Sequence, residues 1–152
     1  MSTKKIDKVQ WVLRAIEKMH VNSSDDKQLW NKCWLEAYSE IGGRSENTGS
    51  KPCPKAAIYG LWYLGRIVGS KRTQLIWPIE KIRKNLGKNA AYAVLALGLL
   101  EQQYDGSLQA LWQEVQMLYQ QKLSEKPADS EQGEIALTML LYKANLVTAS
   151  LQ

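Results

Sequence analysis

The stretch SKPCPKAAIYGLWYLGRIVGSKR, Ser50–Arg72, decides how the chain is built. Pro54 suits the first turn of a helix, where its missing N–H has no intrahelical partner to lose. From Pro54 to Leu64 the side chains fall at helical spacing, with Ala57, Leu61 and Leu64 on one side. Gly65 supplies a left-handed cap, and Ile67 is placed to fold back as the apolar contact beyond it. The stretch predicts one apolar helix with a proline start, a glycine stop and cations at both ends.

Outward from it, the same period recurs. Val9, Val12, Leu13, Ile16 and Met19 mark a helix over 6–19, and Leu29, Trp30, Cys33, Trp34 and Ala37 mark a second over 25–41. Asn22–Asp26 separates them with capping oxygens, and Gly42-Gly43 ends the second. A polar loop, residues 42–52, leads to the opening stretch. After it come a connector, the short basic helix PIEKIRKNL, and helices over 91–102, 108–119 and 131–144, with Tyr104–Ser107 as turn and cap. No convincing period-two alternation marks a strand.

The second half repeats the first. Trp11-Val12-Leu13 aligns with Tyr92-Ala93-Val94, Leu29-Trp30 with Leu111-Trp112, Leu61-Trp62 with Leu141-Tyr142, and Gly65 with Asn145. Glycine and asparagine are the residues that best tolerate positive φ. The expectation is an all-α protein, a single compact domain over 1–152. In it, a three-helix unit at 6–65 is duplicated at 89–147 in a pseudo-twofold arrangement, joined by a basic connector, 66–88, that contains a short helix.

Cys53-Pro54-Lys55-Ala56-Ala57-Ile58-Tyr59-Gly60-Leu61 resembles the Cys-Pro-Lys-x-Ala-x-x-Gly-Leu signature of an uncharacterised family of small bacterial proteins. The Leu-Trp pairs and the second apolar repeat are similar to that family's layout over residues 8–147. The resemblance implies the helical layout and no activity.

Composition narrows the function classes. Of 152 residues, 45% are hydrophobic and 23% charged, as in a soluble globular chain. No run reaches the length of a membrane span, and MSTKKIDK lacks the apolar stretch of a secretion signal, so a cytoplasmic protein with no membrane partner is expected. Asn22-Ser23-Ser24 matches a glycosylation acceptor by pattern only. Cys33, Cys53 and His20 are too few and too scattered for a metal centre. Cys33 reads as core. Cys53, beside Lys51 and Lys55 at a helix start, reads as a small N-terminal residue where a thiolate would be favoured. His20 reads as a cation at a helix C-terminus, and Asp25-Asp26 as helix N-terminal charges. Gly42-Gly43 lacks the Gly-Lys-Ser/Thr of a phosphate loop. With no catalytic motif and no cofactor fingerprint, a non-enzymatic protein is expected.

Charge is unevenly spread. Residues 1–41 carry a net +1, residues 42–88 a net +8 and residues 89–152 a net −4. On the third helix Lys55, Tyr59 and Trp62 share a flank that is expected to be exposed. Lys51 precedes it, Arg66, Lys71 and Arg72 follow it, and Trp77, Lys81, Arg83 and Lys84 continue the surface. Two functions fit. The first is a protein-binding module, an inhibitor or adaptor acting on a larger complex through this basic surface, whose partner is acidic or is a second copy in a homodimer. The second is DNA or RNA binding through residues 51–88, lysines and arginines taking phosphates and aromatic rings stacking on bases.

Overall fold

The computed structural model describes residues 6–22, 24–44, 49, 51–102, 104 and 106–148. Ser23 of the acceptor pattern, Asp105 of the central turn, and residues 45–48 and 50 of the polar loop before the third helix lie outside them. The described residues form seven helices: α1 (Lys8–Asn22), α2 (Lys27–Glu40), α3 (Pro52–Tyr63), α4 (Ile79–Leu86), α5 (Lys88–Glu101), α6 (Leu108–Leu123) and α7 (Glu134–Lys143). The protein is all-α. Its one strand-like feature among these residues is an isolated antiparallel bridge between Ile67 and Val147.

The chain divides into two compact units, Met1–Lys51 and Pro52–Gln152. The sequence repeat puts its first boundary after Gly65; the division falls before α3, which packs on α5 and α7. The cause lies in α3 itself. Six consecutive residues, Ala57–Trp62, are buried, so its interior surface runs all the way round and needs more than one neighbour.

In the first unit α1 packs on α2 through aromatic rings. Trp11 lies 4.5 Å from Trp34 and 4.6 Å from Tyr38, and Trp30 lies 5.6 Å from Trp34. The Trp11 indole N–H donates to the Trp34 carbonyl at 2.9 Å, which satisfies a polar atom that burial would otherwise leave unpaired. Asp26 caps α2, its carboxylate accepting from the Gln28 N–H at 2.8 Å.

In the second unit α5 is the central helix. KNAAYAVLALGLLE is apolar on every side, and Ala90, Ala91, Tyr92, Ala93, Leu95, Ala96, Leu97 and Leu100 are all buried. Such a helix is stable only when covered on all faces, and α3, α4, α6 and α7 pack around it. Tyr92 of α5 lies 4.8 Å from Tyr119 of α6, at the sequence spacing that relates Trp11 to Tyr38. Ser107 caps α6 by accepting from the Ala110 N–H at 3.1 Å.

Helices α3 and α7 end alike. Gly65 (φ +73°) follows α3 and Asn145 (φ +61°) follows α7. Gly65 N–H donates to Trp62 O at 3.0 Å and Arg66 N–H to Leu61 O at 2.9 Å. At α7 the Asn145 N–H donates to Tyr142 O at 3.0 Å and the Leu146 N–H to Leu141 O at 2.9 Å. Both sets are Schellman caps, in which the left-handed residue lets two N–H groups reach the last free carbonyls.

Candidate binding surface

The basic connector is an ordered structure, and its arginines make it so. Beyond Gly65 the backbone pairs with the segment after α7: Val68 N–H donates to Leu146 O at 2.8 Å and Thr148 N–H to Arg66 O at 2.9 Å. Leu75 N–H returns to Leu64 O at 3.0 Å, closing the loop at its base. Arg66 is only 8% exposed, and its guanidinium donates to Leu75 O at 3.2 Å. Burial lowers its pKa from the ordinary arginine value, yet a guanidinium remains charged at any physiological pH. Arg72 donates to Tyr63 O at 2.9 Å and lies 4.4 Å above the Trp62 ring and 5.0 Å from that of Tyr63. Carbonyls left over at a helix end are natural acceptors for such cations.

The aromatic flank expected on α3 is inside the protein. Tyr59 is 6% and Trp62 3% exposed, because α3 is covered by α5 and α7 and Arg72 lies over the Trp62 ring. Trp77 is half-buried, 5.6 Å from Tyr63, with the Lys81 ammonium 4.3 Å above its ring. Of the three aromatic rings expected to meet a base, Tyr59 and Trp62 are buried and Trp77 is half-buried.

Arg83, half-exposed, is also engaged within the fold. It reaches across the fold to Glu125, with an Nη2–Oε1 distance of 3.0 Å, and its Nε donates to the Tyr119 hydroxyl at 3.0 Å. The Arg83 hydrogen bond is the main cause holding the Glu125 carboxyl below the usual carboxylate range. Burial pushes the Tyr119 hydroxyl up to about 12 against the pull of Arg83. The remaining cations of the expected surface are lysines. Lys51, Lys71, Lys81 and Lys84 are exposed and Lys55 is half-buried. Lys71, Lys81 and Lys84 form no ion pair among the described residues.

Sequence reasoning missed Val68 as a contact, whereas Ile76 belongs to the exposed apolar patch that the sequence places around Ile76-Trp77. Val68 is 52% and Ile76 77% exposed, β-branched aliphatic side chains held out from the braced connector. Lys71, between them in sequence, adopts φ +62°, a conformation that costs a non-glycine residue about 1–2 kcal/mol. The signal for Val68 was its place just beyond the helix stop at Gly65, outside any helical period.

At least three of the seven carboxylates in residues 89–152 are engaged nearby. Glu125 holds Arg83. Glu131 accepts from the Gly133, Ile135 and Ala136 N–H groups at the start of α7. Glu134 is buried and accepts from the Gln132 N–H. Cys33 is buried, which raises its thiol pKa and makes it inert. Cys53 is half-buried in the first turn of α3 and His20 is exposed in the last turn of α1. Among the described residues no group of three or more His, Cys, Asp or Glu side chains is placed to hold a metal ion, and no helix is long and apolar enough to cross a membrane.

The sequence profile of DUF6979, a family of unknown function, matches residues 8–148, and the chain belongs to that family. No curated protein and no solved structure matches the chain.

Proposed function

We propose that this member of a family of unknown function is a protein-binding module that offers residues 66–78 to the acidic surface of a larger complex, as an inhibitor or adaptor. One observation carries the reading. The connector spends Arg66 and Arg72 on its own backbone carbonyls while it leaves Val68, Lys71 and Ile76 at the surface. A loop braced in this way loses little conformational entropy on binding. Exposed aliphatic side chains among lysines suit a partner with an apolar centre and an acidic rim.

Nucleic acid is the weaker reading. Stacking needs an uncovered ring, and Trp62 lies under Arg72 while Trp77 lies under Lys81. A second copy of the chain is also a weaker partner, since Glu125, Glu131 and Glu134 are engaged within their own fold.

The test is capture of partners by the tagged full chain from lysate of its own cells, with and without nuclease. The expected result is a protein set that survives nuclease and is lost with Ile76→Glu and Lys71→Glu. Capture that disappears with nuclease, or that neither substitution changes, overturns the reading.

A further inference from the structure

Residues 125–130, between α6 and α7, are held by side chains. Behind them α6 closes where the Ser124 N–H donates to Gln120 O at 2.9 Å, and ahead of them the Glu131 carboxylate caps the start of α7. Between those points no hydrogen bond joins their main chain to other main chain among the described residues. Three fastenings replace it. Glu125 meets Arg83 of α4, the Tyr92 hydroxyl of α5 accepts from the Ala128 N–H at 2.9 Å, and Gln116 of α6 donates to Ala128 O at 2.9 Å and to Asp129 O at 3.3 Å. A hollow of about 340 Å³ is lined by Arg83, Lys88 and Tyr92 and by residues 125–129. Where that space lies, the segment has no packed neighbour to lose when it moves.

The contact between Arg83 and Glu125 has the form of a recognition site. Nη2 meets Oε1 at 3.0 Å and Nε meets Oε2 at 3.2 Å, the paired fork that an arginine offers any carboxylate. Both side chains are half-exposed, so solvent keeps the pair weak and leaves the guanidinium within reach. Lys88, on the same hollow, is exposed and forms no ion pair among the described residues. The cluster of Lys18 with Glu36 and Glu40 differs, because its carboxylates sit on the continuous helix α2 and cannot leave together with a loop.

We infer that residues 125–130 are an autoinhibitory latch, in which Glu125 holds the seat of a carboxylate from an acidic protein partner and the segment swings away when that carboxylate takes Arg83. One carboxylate leaves the guanidinium as another arrives, so no charge is stranded. The Tyr119 hydroxyl, which accepts from Arg83 Nε at 3.0 Å, belongs to α6 and keeps the fork aimed in both states. The opening stands on the geometry of the segment; the nature of the displacing group rests on the protein-binding reading.

The experiment has two arms, both on the full chain. In the first, amide hydrogen exchange by NMR follows the Ala128 N–H. It should exchange by local opening, about a hundredfold or more faster than the Leu97 amide of α5. Gln116→Ala and Glu125→Gln should each speed it about threefold to tenfold and leave α5 and α7 unchanged. Neither substitution touches the Ala128–Tyr92 bond, so the acceleration reads a segment that opens as a unit. In the second arm a glutamate hexapeptide is titrated at fixed ionic strength. Glu125→Gln should tighten its binding about threefold or more, and adding Arg83→Gln should abolish the gain. Asp129→Asn, which removes a charge from the same hollow and leaves Arg83 held, should keep the affinity within about twofold. If Arg83→Gln disturbs the fold, Arg83→Lys, which keeps the charge and loses the fork, carries the comparison. Ala128 exchange that follows global unfolding, exchange unmoved by Glu125→Gln, or equal tightening by Asp129→Asn overturns the inference. Neither arm uses a lysate, so failure of partner capture and failure of the latch are told apart.

Discussion

Ile67 and Val147 face each other in an antiparallel bridge, each two residues beyond the left-handed residue that ends its helix. The two hydrogen bonds flanking the pair run from Val68 to Leu146 and from Thr148 to Arg66, so each segment gives one N–H and takes one. Both side chains are 4% exposed. The bridge ties the ends of α3 and α7 together, and the connector starts from that fixed point.

The two caps are not equally tolerant. A Cβ at Gly65 would stand 2.5 Å from Thr73 O and 2.8 Å from Gln74 Cα, at φ +73°. Gly65→Ala should therefore destabilise by about 2 kcal/mol or more. Asn145 is exposed at φ +61°, and Asn145→Gly should change stability by no more than about 0.5 kcal/mol. Urea unfolding of both variants checks the contrast; equal effects would contradict the geometry.

At Gly60 the usual helix rule should invert. Glycine to alanine inside a helix ordinarily gains up to about 1 kcal/mol. Here the new Cβ would meet Ala90 Cβ at 2.4 Å, where α3 lies against α5. Gly60→Ala should cost about 1–3 kcal/mol through overpacking. Adding Ala90→Gly should recover part of the loss, and a double-mutant cycle by thermal unfolding reads that coupling.

Lys71 pays for its backbone conformation, and the cost should be recoverable. Lys71→Gly removes the left-handed penalty and should raise stability by about 0.5–1 kcal/mol. The same substitution should weaken partner capture, since it removes an exposed cation of the proposed surface. Stability and binding moving in opposite directions, by calorimetry and capture, is the expected signature of strain kept for a contact.

Acid and alkali should each weaken the Arg83–Tyr119–Glu125 cluster. The folded pKa of Glu125 lies below its ordinary 4.5, so its contribution is whole above 4.5 and is lost as pH falls through the lower folded value. Tyr119 is raised from 10.0 to about 12, so its contribution is whole below 10 and is lost as pH rises from 10 towards 12. Glu125→Gln should flatten the acid limb of a melting-temperature profile. At neutral pH it should cost no more than about 1 kcal/mol, the pair being partly exposed. An unchanged acid limb would show that the pair carries no linkage.

The helices and their stops were legible because they follow from local chemistry. Gly65 adopts the left-handed cap, Ser107 caps α6, and the unbroken apolarity of α5 announces a central helix. The fate of the charged and aromatic surface was not legible, because it depends on distant partners. Arg83 meets Glu125 forty-two positions away. Tyr59 and Trp62 are covered because Gly60 lets α3 approach Ala90 of α5 closely. In sequence Arg66 and Arg72 count as surface charge; in the fold their acceptors are the backbone carbonyls of Leu75 and Tyr63.

Tyr63, Leu64, Leu75, Leu146 and Thr148, which brace residues 66–78, all belong to the chain after Pro52. The frame that holds the loop's backbone is thus written within one stretch of chain, so a substitution at the ends of α3 or α7 reaches the loop through main-chain bonds before any side chain of the loop is altered.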